Sequence, residues 1–299
     1  MLEIADVSKR YGRRYALEHV SYTIPDATTT LLLGPNGAGK STLIKSIMGL
    51  IHFTGKITVE GLDAKKDIKT VHTLIGYMPQ QSAFQENLTV YQHCNFTGRL
   101  KGADDAAIRV AIETSGLWDV RNKKIHALSS GMRQRLGITL ALTGDPPIVF
   151  FDEPTNNIDI KFQIEFQSIV KRLRKAKKTI VIATHISGFD EFAENAIILD
   201  AGKLVAAGST KELLERIGEE DTVFLRVRDE FREKVMATLN GLGVTVKDQD
   251  GEWISMQLTH DKKAVTIQSV VNSGCVVDDV AIESTELESD YIKLGGAKK

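Results

Sequence analysis

Residues 31–42, LLLGPNGAGKST, set Gly34, Gly39, Lys40 and Ser41 in the spacing G-x-x-x-x-G-K-[ST], after an apolar run and before a helical pattern. Glycines at that spacing let the backbone turn inward, so that successive N–H groups and a helix N-terminus face phosphate oxygens. Lys40 then reaches the β- and γ-phosphates of a nucleotide, and Ser41 Oγ can ligand Mg²⁺. Pro35, Asn36, Gly37, Ala38 and Thr42 complete the loop. A second stretch, IVFFDEPTNNID at 148–159, buries four apolar residues and ends in Asp152 and Glu153. Adjacent strand residues face opposite ways, so the two acids take separate roles: Asp152 in the Mg²⁺ sphere, Glu153 polarising an attacking water. His185 ends TIVIATH at the same sheet edge, where a neutral imidazole can hydrogen-bond a γ-phosphate, although a lone histidine there is more often structural. A third stretch, LSSGMRQRLGITLAL at 128–142, reads as a helix start with no acid, base or metal ligand of its own. Its Arg133 and Arg135 oppose the helix dipole unless negative charge lies beside them.

Positioning these groups requires strands that end together. TTTLLLG 28–34, PIVFFDEP 147–154 and KTIVIATH 178–185 read as buried strands, each followed by a helical pattern at 39–50, 160–176 and 187–195. That alternation predicts an α/β phosphate-loop core with a mostly parallel sheet. LEIADVSKRY, HVSYTI and GKITVEG predict an antiparallel β element beside it, and 196–209 a hairpin turning at Asp200-Ala201-Gly202. Residues 86–145 read as a helical insert. The composition changes near Gly218, and the order β-α-β-β-α-β from there predicts a small ferredoxin-like α+β domain with no catalytic signature. The expected domains are 1–217, with the helical insert, and 218–299, an accessory or regulatory module.

Taken together the motifs resemble the ATPase subunit of ATP-binding cassette (ABC) transporters, over residues 1 to roughly 215. GPNGAGKST looks like the Walker A loop and FFDEP like Walker B with its catalytic glutamate. YMPQQ 77–81 looks like the Q-loop, NNID 156–159 like the D-loop, and LSSGM 128–132 like the family signature LSGGQ, with Ser130 and Met132 as departures. The D-loop likewise keeps only Asp159 of the usual pattern. The resemblance implies that Gln80 coordinates the metal, that Tyr11 stacks on adenine and that His185 is the switch histidine. It also implies that Ser129 and Gly131 hold the γ-phosphate bound to a second subunit, and that Asp159 is a further nucleotide-binding residue. ATP and Mg²⁺ are the implied cofactors. The implied partners are a second ATPase subunit, either an identical copy or a close homologue, and an integral membrane transporter subunit. Phe84, Leu88 and Tyr91 either touch that membrane subunit or pack a helix. The closing DVAIESTELESDYIKL resembles the tail of exporter subunits, so an exporter is expected. The alternative is a soluble ABC ATPase for assembly or remodelling.

Bulk properties narrow the field. The 299 residues carry 38 basic and 39 acidic side chains, a net charge of −1 that gives no electrostatic reason for a nucleic-acid partner. No apolar run approaches the ~20 residues that span a bilayer, and the N-terminus does not read as a signal peptide. The expected location is therefore cytoplasmic, at the inner face of a membrane through a partner. Two distant cysteines, Cys94 and Cys275, read as reduced thiols. The basic run KRLRKAKK 171–178 reads as a solvated helix end, with lipid headgroups as the lesser option.

Overall fold

A computed structural model describes residues 1–155, 160–184, 192–217, 220–250 and 253–283. Contacts divide the chain into two units, Met1–Thr210 and Lys211–Lys299.

In the first unit, β1 (Leu2–Tyr11) and β2 (Arg14–Ile24) form a hairpin. The buried β3 (Thr29–Leu33) follows, then α1 (Lys40–Ile47), β4 (Thr54–Val59) and the two-residue β5 (Leu62–Asp63). β2-β1-β4-β5 is an antiparallel sheet. Next come α2 (Ile68–Leu74) and β6 (Ile75–Met78), neither announced by sequence periodicity because each is too short to repeat its pattern. The helical insert holds α3 (Val90–Leu100), α4 (Asp105–Thr114) and α5 (Ser130–Leu142). Local chemistry sets its starts. Thr89 and Gln92 exchange hydrogen bonds as a capping box on α3, and Asp104 caps α4 through the Ala107 amide at 2.7 Å. Val90, Cys94, Ile108, Ile112, Leu117 and Leu136 form the insert's own core. The chain returns to the α/β layer through β7 (Ile148–Asp152), α6 (Ile160–Lys175), β8 (Thr179–Ala183), β9 (Asn195–Asp200) and β10 (Lys203–Ser209).

The main sheet runs β10-β9-β3-β8-β7-β6, parallel from β9 to β6 with β10 antiparallel at its edge. β8 therefore sits between β3 and β7, and the loops leaving β3 and β7 emerge one strand apart at the carboxyl edge, where open α/β sheets bind ligands. Most of the helix expected at 187–195 lies outside the described residues, and Asn195 already opens β9. The hairpin at Asp200–Gly202 forms as expected, with Ala201 and Gly202 at positive φ.

α7 (Thr210–Ile217) follows. The second unit then runs β11 (Glu220–Val227), α8 (Asp229–Gly241), β12 (Val246–Asp250), β13 (Trp253–Thr259), α9 (His260–Asn272) and β14 (Val277–Glu283). The antiparallel order β12-β13-β11-β14 is that of a ferredoxin-like sheet. Val223, Leu225, Ile254, Met256, Val235 and Leu239 are its core. Both cysteines are free and buried in different cores. Burial raises the Cys94 thiol to about 12, so it is inert as a nucleophile. Among the described residues no helix is long and apolar enough to cross a membrane.

Candidate functional site

The loop after β3 lines an open cleft of about 160 Å³ from Pro35 to Thr42, closed by Ala16, Gln80 and Glu153. Two of its glycines are fixed by contact as well as by backbone angle. Gly34 has φ +144, and a Cβ there would lie 2.2 Å from the Leu199 carbonyl oxygen; Gly39 has φ +111, with Ala16 O 2.5 Å from a built Cβ. Gly39 also caps α1 without a side chain, and the helix ladder begins with Leu43 N–H donating to Gly39 O at 2.8 Å. The amides of the first turn thus remain available to an anion.

Lys40 is buried beneath this loop. Its ammonium donates to Gly34 O and lies 3.4 Å from Glu153 Oε1, itself buried. Strand alternation does not govern Glu153, contrary to the sequence expectation. β7 ends at Asp152, Glu153 turns to φ +51, and its amide donates to Ala183 O at 2.8 Å. Both acids are buried and close enough to repel, and Glu153 lines the cleft. Burial first, and then the Glu153 charge, raise the Asp152 pKa against hydrogen bonds from Ser41 and Tyr77 and the charge of Lys40. Tyr77, on β6, donates to Asp152 Oδ2 at 3.4 Å, and burial with that carboxylate nearby pushes its own phenol well up. Asp152 Oδ1 is buried and receives no hydrogen bond of standard geometry. A carboxylate and a hydroxyl with an oxygen to spare are the donor set Mg²⁺ takes from protein, so Asp152 and Ser41 fit that ion.

Gln80 stands exposed at the rim of the cleft, on the segment after β6. Tyr11, at the end of β1, is 53% exposed with the Lys9 ammonium 4.8 Å from its ring centroid, and it does not line the cleft. His185 and Asp159 lie outside the described residues. Ser129 caps α5, its hydroxyl accepting from the Met132 amide at 3.3 Å, while Gly131 faces open space. Neither residue lines the cleft. Arg133 and Arg135 do not wait for phosphate charge. Arg133 forks onto Glu86 at 2.6 and 2.8 Å, and Arg135 pairs with Glu165. Phe84, Leu88 and Tyr91 pack half-buried against the helical core. In the basic run 171–178, Arg174 pairs with Glu194 and Lys178 with Asp145.

Sequence reasoning missed two members of this region. Tyr77 has no motif spacing of its own, and only the register of β6 beside β7 brings it to Asp152. Gln134 ties α5 to the acid-bearing loop, donating to Pro154 O at 2.7 Å.

With this geometry in place, comparison with known proteins is informative. A family model described as ABC transporter matches residues 17–156. The daunorubicin resistance ATP-binding protein DrrA3 of Streptomyces coeruleorubidus is 31% identical over 99% of this chain and 96% of its own length. The linearmycin resistance ATP-binding protein LnrL of Bacillus subtilis (strain 168) is 32% identical over 89% of this chain and 88% of its own length. Among solved structures, a dimeric post-hydrolysis ATP-binding cassette bound to ADP and Pi matches with TM-score 0.65 and 27% identity, over 70% of this chain and 99% of that one. Relatives that align nearly end to end and a cassette that carried hydrolysis products agree with a cleft whose lysine and acids suit phosphoryl transfer: the chain belongs to the ATP-binding subunits of ABC transporters, and it is a transport-coupled ATPase.

Proposed function

We propose that this chain is the ATP-hydrolysing subunit of an exporter, working in a pair and driving a separate integral membrane subunit. The pair is two copies of the chain or one copy with a close homologue. The observation that carries the reading is a division of labour within one chain. Lys40, Ser41, Glu153 and Gln80 line one cleft, with Asp152 hydrogen-bonded by Ser41 next to it, whereas Ser129 and Gly131 face outward on a helix start that does not line it. A second subunit placed head to tail brings its own Ser129 and Gly131 to this cleft, and the dimeric cassette among the structural relatives supports that pairing. The exporter direction rests on the two resistance proteins, which align along most of the chain.

In the proposed cycle the phosphate-loop amides and Lys40 bind the β- and γ-phosphates. Entry of the γ-phosphate draws Lys40 off Gly34 O and Glu153, and the freed carboxylate faces the water that attacks γ-phosphorus. Ser41 and Asp152, with Gln80 at the rim, would hold Mg²⁺, which when bound neutralises phosphate charge. Tyr11 stacks the adenine ring, His185 orients the γ-phosphate and Asp159 contacts the nucleotide. ATP-driven closure of the pair and reopening after hydrolysis move the membrane subunit, which places the chain on the cytoplasmic face.

The test is Glu153→Gln in the full chain. Phosphate release at saturating ATP should fall by a factor on the order of 10²–10³. ATP should meanwhile convert the monomer to a dimer seen by light scattering. Hydrolysis at the wild-type rate overturns the assignment of Glu153, and an ATP-loaded variant that stays monomeric overturns the paired site.

A further inference from the structure

A second cavity, of about 340 Å³, opens on the antiparallel sheet and shares no lining residue with the phosphate cleft. Lys9, Arg10, His19 and His52 bring nitrogen groups to it, and Tyr15 and Phe53 bring rings. No carboxylate lines it. The acid beside it, Asp6, is held by His19 Nδ1 at 2.6 Å.

Lys9 and Arg10 are consecutive, and in a regular strand they would point to opposite faces. Here the register of β1 slips against β2 between Val7 and Lys9 and again between Lys9 and Arg10. It also slips against β4 between Ala5 and Ser8. Asp6 and His19 sit at φ +51 and +52, a left-handed conformation that costs non-glycine residues about 1–2 kcal/mol or more. Bulges of this kind bend a strand and re-aim a side chain. The strained segment turns both cations toward one cavity.

Rings rather than acids hold these cations. Lys9 Nζ lies 4.8 Å from the Tyr11 centroid and the Arg10 guanidinium 4.9 Å from that of Tyr15. Beneath them Lys65 Nζ covers the Phe53 ring at 4.2 Å. Neither Lys9 nor Arg10 makes an ion pair among the described residues. A cation steadied by a quadrupole keeps its field for a ligand, whereas one paired to a carboxylate does not. The contrast is local: Arg99, Arg109, Arg133 and Arg174 on the same unit all pair with acids.

We propose that this cavity binds a phosphate-bearing anion, at a site distinct from the ATP cleft. A phosphate group offers the forked acceptor geometry that a guanidinium matches, and a lysine beside an arginine suits its charge. With about twice the volume of the phosphate cleft, the cavity has room for the organic group that carries the phosphate, against Tyr15. A soluble phosphate ester and a phospholipid headgroup share this chemistry.

The test uses the full chain with Lys40→Ala, which weakens phosphate binding at the ATP cleft. One arm titrates glycerol 3-phosphate and follows the imidazole proton resonances, with His52 assigned through His52→Gln. The other measures sedimentation with phosphatidylglycerol vesicles against phosphatidylcholine vesicles. Saturable binding in either arm is expected, and Arg10→Ala should weaken it by about tenfold or more. Response to glycerol 3-phosphate identifies a soluble ligand, and response confined to phosphatidylglycerol identifies a headgroup. His52→Gln, at an exposed position, supplies a second variant, with about threefold weakening expected. Silence in both arms, or binding that both Arg10→Ala and His52→Gln leave unchanged, overturns the proposal. ATP binding by the Lys40-containing chain with Arg10→Ala should match that of the wild type.

Discussion

Among the described residues two helix starts, those of α1 and α5, suit an anion, and they are built in opposite ways. At α1 the cap is Gly39, packed so closely that no Cβ fits, and the lysine beneath it is buried against an acid. At α5 the cap is Ser129, its hydroxyl only loosely held at 3.3 Å, and Gly131 has empty space where a side chain would go. Neither start carries an acid in its first turn, so each leaves its dipole uncompensated within the helix. The first start is packed into a cleft of its own chain. The second is left open, the form expected of a surface completed by a partner.

Glycine to alanine, in the loop that leads into α1 and at the start of α5, gives the sharpest test of that difference. Gly34→Ala forces a Cβ against Leu199 O and Ala38, so the loop must deform. We expect ATP affinity to fall by about 100-fold and the first unit to lose about 3 kcal/mol, from strain and overpacking together. Isothermal titration with ATP and urea unfolding measure the two. Gly131→Ala is helical and unobstructed, so the monomer should gain about 0.5 kcal/mol and bind ATP as before. Its cost should appear only in the pair, as a drop of about tenfold in hydrolysis at saturating ATP. If Gly131→Ala instead weakens ATP binding to the monomer, the two starts are not separate half-sites.

The closed site should also show the strain of its charges. Asp152 has a raised pKa because it is buried and faces Glu153. The folded state thus holds its proton more tightly than the unfolded chain does. Ionised Asp152 therefore costs stability above the ordinary carboxylate pKa, and that cost vanishes at lower pH where both states are protonated. Asp152→Asn should stabilise the nucleotide-free protein by about 1 kcal/mol at pH 7, and the gain should shrink on acidification. Hydrolysis should be lost in the same variant. Thermal unfolding from pH 3 to pH 8 reads the first effect, and phosphate release the second. No matching gain is expected at α5, where no buried acid lies in the first turn.

The same contrast marks what the sequence could disclose. Residues fixed by backbone geometry were legible, because Gly34, Gly39, Lys40 and Ser41 keep a spacing that only a turn into a helix explains. The strands β3, β7 and β8 were legible as apolar runs, and the β-α-β-β-α-β order of the second unit was legible because each element is long enough to repeat its period. Contacts made across the fold were not legible. Arg133 looked like a cation awaiting phosphate, and Glu86, 47 residues away, takes that role. Tyr77 looked like motif filler until sheet register set it beside Asp152. The turn at Glu153 defeated simple alternation because a residue just past a strand end takes a left-handed conformation. Pairwise geometry between distant segments leaves no periodic trace in one sequence.

The smallest expected effect concerns the hydroxyl that makes α5 a half-site. In a helix start whose cap serves only its own chain, losing the serine costs about 1 kcal/mol or more. Here the Ser129 hydroxyl accepts a single bond at 3.3 Å, long for an N–H donor, and Arg133 is already steadied by Glu86. Ser129→Ala should therefore lower the stability of the monomer by only about 0.5 kcal/mol. Ser129→Asp would cap α5 equally well and complement its dipole, yet it sets a negative charge where the partner's γ-phosphate is to bind. Monomer stability kept by aspartate and slightly lowered by alanine, with hydrolysis retained better by alanine than by aspartate, identifies a hydroxyl facing an anion. If aspartate restores hydrolysis along with stability, the serine is an ordinary cap and the open start at α5 needs another explanation.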